Sequence, residues 1–274
     1  MTMDMIDIRG QKIAYRQSPG EGRAVVLVHG NSSSSRTWRH LLDGPFGRRF
    51  RCLALDLPGH GESPALSEPS GYSLPGYATV LAGFVDALSA DEALIVGWSL
   101  GGHIALEAAP VLGAAAGFAV FGTPPIATAA AMADAFLPNP AINVGFSAQV
   151  SPEDARAYAM SYLAPGSTVP LDPFVADILA TDGAARAGLA ASLGEGRFAD
   201  EVAISSTLRR PLAIMHGQGE QLVSGEFLRT LAFPTLWRGA VQVIDGAGHA
   251  PHEEVPETFA DLLEQFIADL PPRH

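Results

Sequence analysis

Cysteine is nearly absent from this 274-residue chain, where Cys52 stands alone. One thiol forms no internal disulfide, and no CxxC or zinc-ligand spacing occurs, so neither a disulfide scaffold nor a thiolate metal site is available. Charge is scarce at 17% of residues, and basic charge is scarcer: 17 Lys and Arg against 29 Asp and Glu leave a formal charge of −12. Without a Lys/Arg run the chain has no electrostatic handle on phosphate backbones or anionic lipid, so neither nucleic acid nor a membrane surface is an expected partner. Long apolar runs are missing too. The uncharged stretch 108–133 is broken by Pro110, Gly113, Gly117, Gly122, Pro124 and Pro125, whereas a membrane span needs about 20 continuous apolar residues. The N-terminal MTMDMIDIRG carries Asp4 and Asp7 and lacks the basic and apolar regions of a secretory signal. With the lone cysteine, this predicts a cytoplasmic location. No sequence feature specifies an oligomeric state.

What is present is a folded chain, 47% hydrophobic, long enough to bury a substantial core. Short apolar runs at 24–28 (AVVLV), 51–55 (RCLAL), 93–96 (ALIV), 117–121 (GFAVF), 212–215 (LAIM) and 241–244 (VQVI) read as strands. Most are continuous rather than alternating, as strands covered on both faces should be. Segments 77–88, 100–112, 224–231 and 256–270 have helical spacing, and residues 6–8 and 12–15 suit an N-terminal antiparallel hairpin. Strands alternating with helices predict an α/β fold with a mostly parallel, eight-stranded, doubly wound sheet. Between Gly122 and Arg210 no buried strand is evident, and a structureless loop of that length is not expected in a compact domain. The interval, with helical patches at 152–163 and 174–180, is read as a helical cap inserted after the sixth strand. The expected organisation is a core of residues 1–123 and 201–274 with a cap of residues 124–200.

Gly97-Trp98-Ser99-Leu100-Gly101 matches G-x-S-x-G. It follows a strand and opens a helix, where glycines allow the sharp turn that lifts a serine hydroxyl above the sheet edge. A nucleophilic serine needs a base. Of eight histidines, His29, His60, His103 and His216 fall at strand ends, in a turn or on a helix and read as structural, while His40 and His274 have no context. His249 lies in a glycine-containing loop after the last strand, where the base follows in the chain order of such sheets; His252 is the local competitor. The base needs a carboxylate to fix its tautomer. Glu220 is the only acid in the loop after LAIM, and the alternative position after GFAVF holds none. Oxyanion donors are expected from the backbone N–H of Leu100 and from Asn31, in the loop after the first buried strand.

With these residues the sequence resembles the α/β-hydrolase superfamily nearly end to end, including DLPGHGES at 56–63. Within it, the chain looks most like the metal-independent N-acyl-homoserine lactonases, which degrade quorum-sensing signals. The supporting stretches are HGNSSS at 29–34, GWSLGGHI at 97–104, GTPP at 122–125, TDGAAR at 181–186 and VIDGAGHAP at 243–251, with Glu replacing the commoner Asp of the triad. The resemblance implies a substrate-side role for Asn31 and a cap tyrosine, Tyr158, aimed at the lactone. It also leads one to expect a second acid where Gly219 stands, and its absence predicts a looser loop. Trp98, Phe136 and Met160 are expected to contact substrate, and Phe136, Leu137, Ile142, Phe146, Met160, Tyr162, Leu163 and Phe174 offer apolar surface for an acyl tail. The expected partner is a small acyl lactone or ester, with no cofactor. No HxHxDH metal cluster of the metal-dependent lactonases is present. A general carboxylesterase or a C–C bond hydrolase would use the same triad, and a ligand receptor could share the fold.

Overall fold

A computed structural model describes residues 3–272. The strands are β1 (Met3–Ile8), β2 (Gln11–Gln17), β3 (Ala24–Val28), β4 (Arg51–Leu55), β5 (Leu94–Trp98), β6 (Gly117–Phe121), β7 (Leu212–Gly217) and β8 (Gln242–Ile244). They form one sheet in the order β1-β2-β4-β3-β5-β6-β7-β8. The β1–β2 hairpin joins the sheet antiparallel to β4, and every other neighbouring pair is parallel. Arg9 (φ 55°) and Gly10 (φ 91°) make its turn, both in the left-handed region that a two-residue hairpin requires. At the centre, every residue of β5 and β6 is buried. That burial accounts for their continuous apolar runs.

The helices that matter for the site are α1 (Leu74–Ala87), α2 (Leu100–Ala108), α3 (Pro152–Ser161), α4 (Asp172–Ala180), α5 (Gly183–Gly194), α6 (Glu201–Thr207), α7 (Gly225–Thr230) and α8 (Pro256–Asp269). α1 starts three residues before its apolar periodicity does, because the Ser73 hydroxyl accepts the Gly76 N–H at 3.1 Å and caps the helix. α2 stops at Ala108, short of the expected 112: Ala109 is still helical at φ −55°, ψ −37°, but Pro110 has no N–H with which to continue the ladder. α8 buries the stripe Phe259, Leu263, Phe266 and Ile267, and Phe259 meets Phe121 of β6 edge-to-face at 4.8 Å.

Between β6 and β7 lie helices α3 to α6 and no strand of the sheet. The Asp182 N–H donates to Gly59 O at 2.9 Å, and Tyr72 OH donates to the Asp182 carboxylate at 3.0 Å. Buried Arg186 donates to the carbonyls of Ser147 and Ile178, stapling the inserted segment to itself. Ser34 and Arg36, in the loop after β3, both donate to the Asp177 carboxylate on α4. The insertion is therefore fastened to the two loops that follow β3 and β4. Among the described residues, no helix is long and apolar enough to cross a membrane.

Candidate active site

β5 ends at Trp98 and α2 begins at Leu100, so Ser99 alone makes the turn. Its backbone sits at φ 53°, ψ −117°, a region that L-residues adopt only when the surroundings hold them there. The holding bonds are visible. The Ser99 N–H donates to Phe121 O at 2.9 Å, and its carbonyl accepts from the N–H of Gly102 and the hydroxyl of Thr123, each at 2.9 Å. The flanking glycines are dictated by close approach. A Cβ on Gly97 would lie 2.4 Å from Gly101 O, and one on Gly101 would lie 2.2 Å from Val28 O. The strand-to-helix turn can therefore be this tight only with glycine at both places.

The Nδ1 of His249 lies 2.8 Å from Glu220 Oε2, with both side chains 2% exposed. The other carboxylate oxygen of Glu220 accepts the Leu222 N–H at 2.7 Å. Burial pushes this carboxyl up, but His249 and the Leu222 N–H outweigh it and hold the group below the ordinary range, ionised at neutral pH. The imidazole is caged. Trp98 Nε1 donates to His249 O at 2.8 Å, and the Tyr162 ring stacks on the imidazole at 6.0 Å. Gly122 (φ 59°) presses so close that a Cβ there would lie 2.6 Å from Cε1. Gly219 does not loosen the loop as expected. Its N–H donates to Ala247 O at 2.8 Å, and a Cβ there would meet the Ala164 methyl at 2.8 Å, so the position has no room for the second acid.

Ser99, His249, Asn31, Tyr158 and Leu100 line one cavity of about 320 Å³. Its remaining wall is mainly apolar, with Leu74, Ile126, Phe136, Ile142, Phe146 and Leu189 prominent. Asn31 bridges core and insertion: its Nδ2 donates to Gly145 O at 2.6 Å, and its carbonyl accepts from Tyr162 OH at 3.2 Å. The rings of Tyr158 and Tyr162 meet edge-to-face at 4.7 Å, and burial pushes the Tyr158 phenol up to about 12, which keeps it a neutral donor. Leu100 opens α2, so its N–H belongs to the first turn, whose donors have no partner within the helix. Among the described residues, no group of three or more His, Cys, Asp or Glu side chains is placed to hold a metal ion.

The model of the alpha/beta hydrolase family matches residues 25–262. The chain belongs to that family. This hydrolase is 31% identical to the pimeloyl-[acyl-carrier protein] methyl ester esterase of Methylococcus capsulatus, over 93% of its own length and 98% of that protein. Among solved structures it superposes on the N-acyl homoserine lactonase AidH complexed with N-butanoyl homoserine, with a TM-score of 0.93, 32% identity and 100% of both chains covered. A mutant of the same lactonase complexed with N-hexanoyl homoserine lactone gives 0.93 and 32% over 98% of each chain. An esterase from a Rhodococcus species shares the fold at TM-score 0.81 and 24% identity, covering 99% of this chain and 100% of that one.

Two expected substrate contacts of the hydrolase need correction. Met160 is 56% exposed and lines an open groove on the outer side of the insertion, away from the cavity. Trp98 is buried and does not line the cavity; it works from behind, holding the backbone of His249. Phe136 does line the cavity. The competitor His252 is sealed among Trp38, Trp98, Phe121 and Phe259, with Nε2 2.7 Å from the Thr37 hydroxyl. His29 accepts the Leu57 N–H on Nε2 at 2.9 Å, its Nδ1 lies 2.8 Å from Gly30 O, and burial lowers it to about 4. His29 thus serves as a neutral turn brace. His274 lies outside the described residues. Sequence reasoning assigned no site role to His103, which lines the cavity one helical turn after Ser99. The i, i+4 spacing was the available signal.

Beside His252, the Glu253 carboxyl is 1% exposed. Burial pushes it up to about 7, against Arg39 and Thr37, which favour the ionised form. The folded value thus lies above the unfolded value of 4.5, so the native state binds the extra proton between them. Stability should fall as pH rises through that window and level off above it. Glu253→Gln should remove this pH dependence. Its urea midpoint should gain on wild type from pH 4.5 to 7, and parallel midpoint curves would refute the assignment.

Proposed function

We propose that this protein is a serine hydrolase that opens the lactone ring of N-acyl-homoserine lactones through an acyl-enzyme. The observation that carries the reading is the caged His249–Glu220 pair, whose histidine lines one mainly apolar cavity together with Ser99. The near-complete superposition on a lactonase complexed with such ligands supports the substrate class. Ser99 Oγ attacks the lactone carbonyl while His249 Nε2 takes its proton, and Glu220 stabilises the imidazolium from the Nδ1 side. The backbone N–H groups of Leu100 and Asn31 hold the oxyanion; losing one such donor typically costs about 3 kcal/mol of transition-state stabilisation. Collapse of the intermediate breaks the ring C–O bond, and His249 returns the proton to the departing ring oxygen. That alcohol remains tethered to the acyl group. A water, deprotonated by His249, must therefore attack the acyl-enzyme before the ring closes again, releasing the open hydroxy acid. Tyr158, neutral and buried against Gly145, faces the same space and orients the lactone. A cavity of about 320 Å³ is at the lower end of the usual range of about 300–1,000 Å³ and suits a short acyl tail.

The similarity to a methyl ester esterase supports a second reading, a carboxylesterase acting on acyclic esters with the same residues. Mass spectrometry of N-hexanoyl homoserine lactone incubated with the protein separates the two. The expected product is heavier by one water, reverts on acidification, and does not form with Ser99→Ala. Free homoserine lactone would instead mean amide cleavage. Intact lactone together with cleaved nitrophenyl hexanoate would establish the esterase, and no reaction with either would leave a ligand receptor.

A further inference from the structure

His103 and Glu201 form a second histidine–carboxylate pair at the same cavity, and the reaction above uses neither. His103 follows Ser99 by one turn of α2, lines the cavity, and packs with its ring centroid 6.4 Å from that of Phe136. Its Nδ1 lies 2.9 and 2.8 Å from the two carboxylate oxygens of Glu201. Glu201 is fully buried and also accepts the Ile126 N–H at 3.0 Å, while its own N–H donates to Ile126 O at 3.0 Å. Stability alone is a weak reason for such a pair, since a buried ionic contact often contributes no more than well-packed apolar side chains of the same volume. What the pair achieves is orientation. With Nδ1 committed to Glu201, Nε2 is the ring's polar atom left for a ligand, beside the apolar residues Ile126 and Phe136.

We propose that His103, oriented by Glu201, recognises a hydroxyl group on the acyl chain of the substrate. The inference rests on the hydrolase reading of the site but not on the lactone. The His103 N–H donates to Ser99 O at 3.2 Å, and both residues line the same cavity. An acyl carbonyl at Ser99 therefore brings the chain past His103 a few carbon–carbon bonds further on. A hydroxyl fits Nε2 in either protonation state: it donates to the neutral ring and accepts from the imidazolium. Glu201 acts through His103 and is a positioning residue.

The test compares nitrophenyl 3-hydroxyhexanoate with nitrophenyl hexanoate as the ratio of their kcat/KM values. His103→Asn keeps a nitrogen donor near the Nδ1 position for Glu201 and removes Nε2; His103→Gln does the reverse. The ratio should fall about tenfold in His103→Asn, the worth of one hydrogen bond in an apolar site, and recover in part in His103→Gln. A purely structural role would change both substrates alike and leave the ratio unmoved, which would overturn the proposal. So would a wild-type enzyme that favours the unsubstituted ester as strongly as His103→Asn does. If wild type cleaves neither ester, the hydrolase reading fails by itself. Calorimetric binding of 3-hydroxyhexanoate against hexanoate then decides: tighter hydroxy-acid binding in wild type that is lost in His103→Asn sustains the proposal, and equal binding refutes it.

Discussion

Replacing Ser99 with glycine should abolish turnover and raise the melting temperature together. Both effects follow from one observed conformation, φ 53° and ψ −117°. Holding a non-glycine residue in such a region costs about 1–3 kcal/mol. The bonds from Ser99 N–H to Phe121 O and from the Gly102 N–H and Thr123 hydroxyl to Ser99 O sustain it. Glycine adopts that backbone without the Cβ clash, at an entropic cost of about 0.5–1 kcal/mol. The net gain should be about 1 kcal/mol, or roughly 2–4 °C for a chain of this size. Loss of the proposed nucleophile should lower kcat by about 10⁴-fold or more. Ser99→Ala is the internal control, because it removes the hydroxyl but keeps Cβ and hence the strain. It should lose the same activity with no gain in melting temperature. Calorimetric scans of the three proteins, beside their rates on nitrophenyl hexanoate, read both effects. Equal melting temperatures for the glycine and alanine variants would mean that Ser99 stores no strain, and residual activity in either would unseat it as nucleophile.

The same conformation explains why this part of the site is legible in a single sequence. G-x-S-x-G encodes a steric requirement, visible here as Cβ positions that would collide with Gly101 O and Val28 O. The strands are legible because burial on both faces leaves a composition signal, as in the fully buried β5 and β6. His249 and Glu220 follow from chain order once the strands are placed. The side of a helix that faces the cavity is harder to read. Tyr158 and Met160 are two positions apart on α3, which turns by about 100° per residue, so both cannot face one cavity: Tyr158 is 5% exposed and Met160 56%. Trp98 fails for a related reason, since the turn at Ser99 sends its ring behind His249. α5 has few large apolar residues and hence little periodicity, and its place is set by Arg186 and the Asp182 cap. The partner of His103 lies 98 positions away at Glu201, and no local pattern announces it.

Glu220→Gln should lower kcat by about 10⁴-fold while the protein stays folded. The carboxylate accepts from two donors, with Oε2 facing His249 Nδ1 at 2.8 Å and Oε1 facing the Leu222 N–H at 2.7 Å. A glutamine amide has one oxygen for these two places. If the oxygen keeps the Leu222 N–H, the NH₂ group faces Nδ1 and forces the proton to Nε2, where it points at Ser99 and blocks proton transfer from the hydroxyl. If the oxygen turns to Nδ1, the NH₂ group confronts the Leu222 N–H and the loop after β7 loses its brace. The first arrangement keeps the cage formed by Trp98, Tyr162 and Gly122 intact, so activity should fall far more than stability. Stability also carries a signature of its own. The Glu220 carboxyl is depressed below its unfolded value of 4.5, so its contribution is present above that pH and lost as pH falls through the lower folded value. Wild type should therefore exceed Glu220→Gln in urea midpoint at neutral pH, and the gap should close below about pH 4.5. Kinetics on nitrophenyl hexanoate with midpoints from pH 3 to 8 measure both. A variant that keeps more than about a tenth of wild-type kcat would remove Glu220 from the proposed triad, and a gap that widens in acid would reverse the sign assigned to its carboxyl.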